Sequence, residues 1–182
     1  RLRTIMDTDA GPMDFQRWFV EEQCAPVTKG IRFDGAPGAK PSPAFAEALT
    51  RDDLAAVIVC PSNPFLSVDP ILALDGVRTT LSGLQVPRIA MSPLIGGKVV
   101  KGPLGKLLAE LGYQAHNTAI ASHYNKLIDC LVIDCADQAE VETLRGHGLS
   151  VTVTETLMRG PDDQKRLAYE VLAVAGIETD KQ

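Results

Sequence analysis

Short apolar runs rich in β-branched residues alternate along this chain with stretches whose apolar positions recur every three or four residues. The runs at 30–33, 55–60, 88–91, 127–133 and 150–153 read as strands. Between most of them lie helix signatures. Ser42 before Pro43 has the form of an N-cap followed by proline in the first helical turn, with a helix over 44–49. Asp69-Pro70 repeats that form ahead of 71–74. After Pro103, Leu104, Leu107, Leu108 and Leu111 make the i, i+3, i+4, i+7 stripe of a buried face, and Gly112 sits where a left-handed C′ residue belongs. Asp137 and Glu140 are spaced as a capping box that opens a helix through Leu144, and Leu167, Val171 and Val174 form the stripe of a last helix.

Strands that are apolar on both faces and alternate with helices predict a mainly parallel sheet covered on each side. The expected fold class is therefore α/β: three-layer, doubly wound and Rossmann-like. The 182 residues suit one α/β domain, with 36–177 as the sheet–helix core. Residues 1–35 read as a peripheral segment. Within it, 14–22 predicts an amphipathic helix, with Phe15, Trp18 and Phe19 on one side, packed on the sheet layer or on a partner subunit. The end, Glu178 to Gln182, is expected to fray.

Composition narrows the function. A net charge of −5 and an aromatic share of 5% argue against nucleic acid as a partner, since neither a wide basic face nor a stacking platform is available. No apolar stretch approaches the roughly 20 residues that span a bilayer, so no membrane partner is expected. Cys24, Cys60, Cys130 and Cys135 include no Cys-x-x-Cys pair, and the three histidines are scattered, so no metal site is read within the chain. Reduced core thiols in a cytoplasmic protein are the expectation.

In parallel sheets, ligands gather at the carboxyl ends of the strands. Three loops with unusual chemistry leave such ends: 61–64, 92–103 and 154–158. The second runs from Ser92 through Gly96-Gly97-Lys98 and Lys101 to a Gly102-Pro103 helix entry. Paired glycines can bring bare N–H groups up to a ligand, and lysines add positive charge, so the loop reads as a phosphate site. The alternative is a structural turn with solvent lysines; the Walker A pattern is absent. Pro61-Ser62-Asn63-Pro64 is stiffened by its two prolines and presents Ser62 and Asn63 either to a ligand or, for Asn63, to its own backbone. His123 reads as structural, and Asp134 as a cap at the functional end of its strand.

Several segments together resemble the CofD family, the 2-phospho-L-lactate transferases of deazaflavin coenzyme F-420 biosynthesis and their phosphoenolpyruvate-using relatives. The resemblance rests on Asp14-Phe15-Gln16 with Trp18-Phe19-Val20, and on Gly30-Ile31-Arg32-Phe33. It rests further on Cys60-Pro61-Ser62-Asn63-Pro64 with Ser67-Val68-Asp69-Pro70, on the run from Met91 to Pro103, on His123-Tyr124, and on Thr154-Glu155-Thr156-Leu157-Met158. The match corresponds to the C-terminal part of such a protein. With an opening Arg1-Leu2-Arg3 that lacks an initiator Met, the chain is expected to be a piece of something longer.

The resemblance implies transfer of 2-phospho-L-lactate, phosphoenolpyruvate or a similar phospho-acid from a guanosine-diphosphate-linked donor. The acceptor it implies is the ribityl hydroxyl of the deazaflavin Fo, and the product released is GMP. Gly96, Gly97, Lys98 and Lys101 would hold donor phosphates, and Ser62, Asn63 and Ser92 would orient the donor. Magnesium would be held by carboxylates outside this chain, and the protein would be a homodimer. No general base is identified. The alternative is a non-catalytic regulator of related fold that binds a nucleotide sugar.

Overall fold

The computed structural model describes residues 2–178. All but the first residue of the stretch expected to fray, 179–182, lies outside them. The chain opens with a three-stranded antiparallel sheet: β1 (Arg3–Thr8), β2 (Gly11–Asp14) and β3 (Thr28–Asp34), in the order β2-β1-β3. The strand expected at 30–33 is β3, whereas β1 and β2 are strands that the sequence does not predict within the peripheral segment 1–35. In β1, Ile5 and Met6 are adjacent and both buried, so the strand shows no alternation. In β2, Pro12 argues against a strand by sequence, and it is accommodated here because β2 is an edge. The helix expected over 14–22 is present over 15–21, with Arg17–Glu21 in π-helical form. Trp18 is its anchor, fully buried in the main core, with its indole N–H donating to the Pro26 carbonyl at 3.1 Å.

After α1 (Pro43–Leu49), which Ser42 caps through Phe45 N as its sequence predicts, come β4 (Val57–Val59) and a second π-helical turn, Pro64–Val68. Then follow α2 (Asp69–Leu72), α3 (Val77–Gly83), β5 (Arg88–Met91) and a small hairpin of β6 (Leu94–Ile95) and β7 (Lys98–Val99). The chain continues through α4 (Leu104–Glu110), α5 (Asn117–His123), β8 (Cys130–Asp134), a 3-10 helix (Cys135–Glu140), α6 (Val141–Gly146), β9 (Ser150–Thr154) and α7 (Pro161–Val174).

The main sheet is parallel, in the order β4-β5-β8-β9. Its two faces are separated by the two-residue period of the strands. Ala90, Leu131 and Ile133 pack with Leu104, Leu107, Leu108, Ile120 and Leu144 on one side. Ile89, Met91, Cys130 and Val132 pack against Leu167 and Val171 of α7 on the other. Helices on both faces of a parallel sheet make this the expected Rossmann-like α/β fold. The leucine stripe of α4 is buried as read, and Gly112 takes the left-handed conformation that ends the helix, with φ 82°.

Two local readings change and a third, the core thiol at Cys130, holds. Asp69 does not cap its helix: its carboxylate lies 2.9 Å from His123 Nε2 and links α2 to α5. Cys60 is exposed, not a core thiol, because it stands just past the last residue of β4. Cys130 is buried, and that burial raises its thiol above the ordinary value.

A candidate ligand site at the carboxyl edge of the sheet

A cavity of about 260 Å³ opens where β4, β5 and β9 end. The three loops singled out by sequence meet there: Pro61, Ser62 and Asn63 from the first, Ser92, Pro93, Ile95, Val99, Val100 and Lys101 from the second, and Thr156, Leu157 and Met158 from the third. Right-handed βαβ connections bring parallel strand ends to one edge, so loops distant in sequence converge. Most of the lining is apolar, with Ile95, Val99, Val100 and Leu104 on the hairpin side.

Asn63 has two roles. Its Oδ1 accepts from Phe65 N at 3.1 Å and Leu66 N at 3.2 Å, capping the Pro64–Val68 turn. Its Nδ2 is buried and has no partner among the described residues. An unpaired buried donor costs about 1–3 kcal/mol, so Asn63 is fixed at one end of its amide and unsatisfied at the other. Ser92 is 2% exposed, and its Oγ accepts from Leu94 N at 3.1 Å, which leaves its hydroxyl proton free to donate. Ser62 lines the cavity beside Asn63.

The glycine pair is where the structure departs most from the sequence reading. Gly96 and Gly97 have φ +59° and +68°, the positive values of a two-residue hairpin turn between β6 and β7. Their amides do converge on an anion, but the anion is internal: Gly96 N donates to Asp137 Oδ2 at 3.0 Å and Gly97 N to Asp137 Oδ1 at 2.8 Å. They are therefore not free for a donor phosphate. Lys98 is exposed and stands outside the cavity lining. Lys101 lines it and, among the described residues, is the one charged side chain that does.

The same contacts revise the capping box. The N-cap of the 3-10 helix is Asp134, whose Oδ1 accepts from Ala136 N at 2.9 Å. Asp137 holds the glycine turn, and Glu140 Oε2 accepts from Asn117 N at 2.8 Å, capping α5 from another element. The expected capping role of Asp134 holds, and it does more. Its Oδ2 accepts from Thr156 N at 2.8 Å and Thr156 Oγ1 at 3.0 Å, tying the third loop to β8.

Burial pushes the Asp134 carboxyl up, but the hydrogen bonds from Ala136 and Thr156 outweigh it and hold the group below its ordinary value. A carboxylate with a lowered folded-state value adds stability at neutral pH, and that stability is lost as pH falls from the ordinary carboxylate range through the folded value. Asp134→Asn is therefore expected to be less stable than the parent protein at neutral pH, with the deficit shrinking once pH drops below about 4. Urea denaturation across that range measures it, and a deficit independent of pH contradicts the assignment.

Among the described residues, no three His, Cys, Asp or Glu side chains converge as a metal-ligand set. The two carboxylates behind the cavity, Asp134 and Asp137, have their oxygens committed to protein donors. Neither of these two carboxylates is therefore free to hold a magnesium ion. No helix among the described residues is long and apolar enough to cross a membrane.

The family described as "2-phospho-L-lactate transferase CofD" matches residues 1–164. The chain is 36% identical to the 2-phospho-L-lactate transferase of Methanopyrus kandleri over 177 residues, which cover 96% of this chain and 54% of that protein. It is 32% identical to the enzyme of that name from Methanococcoides burtonii, across 95% of this chain and 55% of that protein. It is 33% identical to the phosphoenolpyruvate transferase of Kitasatospora aureofaciens, across 88% of this chain and 50% of that protein. The chain spans about half the length of the curated relatives it matches. A parallel sheet with a cavity at its carboxyl edge, and a match that runs through nearly all of its residues, place this chain in the CofD family of transferases.

Proposed function

We propose that the full-length protein transfers a phospho-acid, 2-phospho-L-lactate, phosphoenolpyruvate or a similar group, from a guanosine-diphosphate-linked donor to the ribityl hydroxyl of the deazaflavin Fo. The hydroxyl oxygen attacks the phosphorus that bears the small acid. A new P–O bond forms, the bond to the bridging oxygen breaks, GMP departs with that oxygen, and the hydroxyl proton is released. Such a step asks the protein mainly for positioning and for neutralisation of spreading negative charge.

The observation that carries this reading is the cavity itself. Its apolar walls suit the organic part of a ligand, while Asn63 Nδ2 and Lys101 supply a buried donor and a cation for its anionic part. Ser62 and Ser92 orient the same ligand through their hydroxyls. The glycine pair shapes the hairpin and is not a phosphate cradle, and Lys98 makes no direct contact. Any magnesium takes its ligands from outside this chain. A homodimer in the cytoplasm goes with this reading. Trp18 cannot be the dimer contact, since it is buried in the chain's own core, whereas Phe19 and Val20 of the same turn are 42% and 62% exposed.

The two lysines separate this arrangement from the one expected from sequence. In the full-length protein, Lys101→Ala is expected to lower kcat/KM about tenfold or more, the scale of a lost charged hydrogen bond, while Lys98→Ala stays within about twofold. Equal losses from both lysines, or none from Lys101, remove Lys101 from the site.

A further inference from the structure

Two buried carboxylates stand behind the cavity without lining it. Asp134 and Asp137 are 6% and 5% exposed and lie one turn of the 3-10 helix apart. Each is committed to a different wall. Asp134 takes the backbone N–H and the hydroxyl of Thr156, and so fixes the wall that carries Thr156, Leu157 and Met158. Asp137 takes both amides of the glycine turn, and so fixes the hairpin that carries Ile95, Val99 and Val100. The hairpin's own strands give its tip little support. Its two strands are two residues each, and both turn residues are glycines with positive φ. Hairpins this short are marginal unless something pins them.

We propose that Asp134 and Asp137 act as a clamp that sets the gap between the two walls, with Asp137 as the positioning residue for the hairpin wall. The inference rests on the reading of the cavity as the ligand site. Neither carboxylate touches ligand. Each acts through the backbone it holds, and because both project from one rigid turn after β8, the two walls keep a fixed separation.

The test uses the full-length protein with guanosine diphosphate and the nucleotide-linked donor as probes. Asp137→Ala empties the space between the glycine amides. The expected result is a dissociation constant for guanosine diphosphate raised about tenfold, and a donor KM raised similarly while kcat stays within about threefold. Formate, a carboxylate small enough to fill the vacated place, restores the affinity of Asp137→Ala and leaves the parent protein unchanged. A residue that only supported folding would lower the melting temperature without this split between KM and kcat. Should the alanine variant not stay folded, Asp137→Asn keeps the side-chain size and one acceptor. It is expected to weaken binding several-fold, with no rescue by formate.

Amide hydrogen exchange at Gly96 and Gly97, measured without ligand, reads the clamp independently of function and is expected to accelerate in either variant. Unchanged binding in Asp137→Ala alongside weakened binding in Lys101→Ala overturns the clamp and leaves the site standing. Binding indifferent to both substitutions overturns the site, and the clamp with it.

Discussion

Asn63→Asp is expected to leave the fold intact and to cut transfer by the full-length protein by on the order of a hundredfold. The two side chains have nearly the same shape. Aspartate keeps the oxygen that accepts from Phe65 N and Leu66 N, and a negative charge at a helix start is favourable, so the Pro64–Val68 turn is retained. What changes is the other terminal atom. The buried Nδ2, which has no partner among the described residues, is replaced by a carboxylate oxygen that repels an anionic ligand. Losing a hydrogen bond to a charged group costs about 1.5–3 kcal/mol, and the repulsion adds to it. Asn63→Ala is a control of a different kind, because it also removes the cap, at about 0.5–2 kcal/mol of stability. Circular dichroism melts together with kcat/KM separate the two roles. An aspartate variant that keeps its activity within about threefold would show that Nδ2 meets water and not substrate.

Trp18→Ala is expected to cost about 3–5 kcal/mol of stability. Its indole is fully buried in the cluster that includes Met6, Met13, Leu104 and Leu107, so alanine leaves a large void between the antiparallel sheet and α4. The Pro26 carbonyl loses one of its two donors, keeping only Lys106 Nζ at 3.2 Å. Urea denaturation gives the value directly. A loss below about 1.5 kcal/mol would mean that the three-stranded sheet packs on the main core too loosely for one side chain to join them.

How far the sequence discloses the molecule depends on whether a signal is local. β5 falls on Arg88–Met91 as its apolar run predicts, and the stripe from Leu104 to Leu111 marks α4, because burial on one face leaves a period that can be read within a single element. β1 and β2 carried no such period. Adjacent Ile5 and Met6 are both buried, and Pro12 lies in an edge strand.

The site divides in the same way. The three loops were identifiable because each follows a strand and breaks its pattern, and the parallel sheet does the rest by bringing their ends together. The anion-binding chemistry of Gly96 and Gly97 was also legible. Its partner was not, since Asp137 lies 40 residues away and wears the spacing of a local capping box with Glu140. Thr156 was visible only as part of a loop, and nothing nearby reveals that Asp134 holds it. Side chains that serve another element leave no periodic trace in their own.

The most direct test of the central claim, that this cavity receives the substrate of a CofD-type transferase, is titration of the full-length protein with Fo, followed by its fluorescence, with the guanosine-diphosphate-linked donor present. The expected result is saturable binding of Fo with formation of GMP, both weakened in Asn63→Asp. No binding of Fo, together with tight binding of a uridine-diphosphate sugar, would contradict it and mark the protein as a regulator that keeps the fold without the reaction.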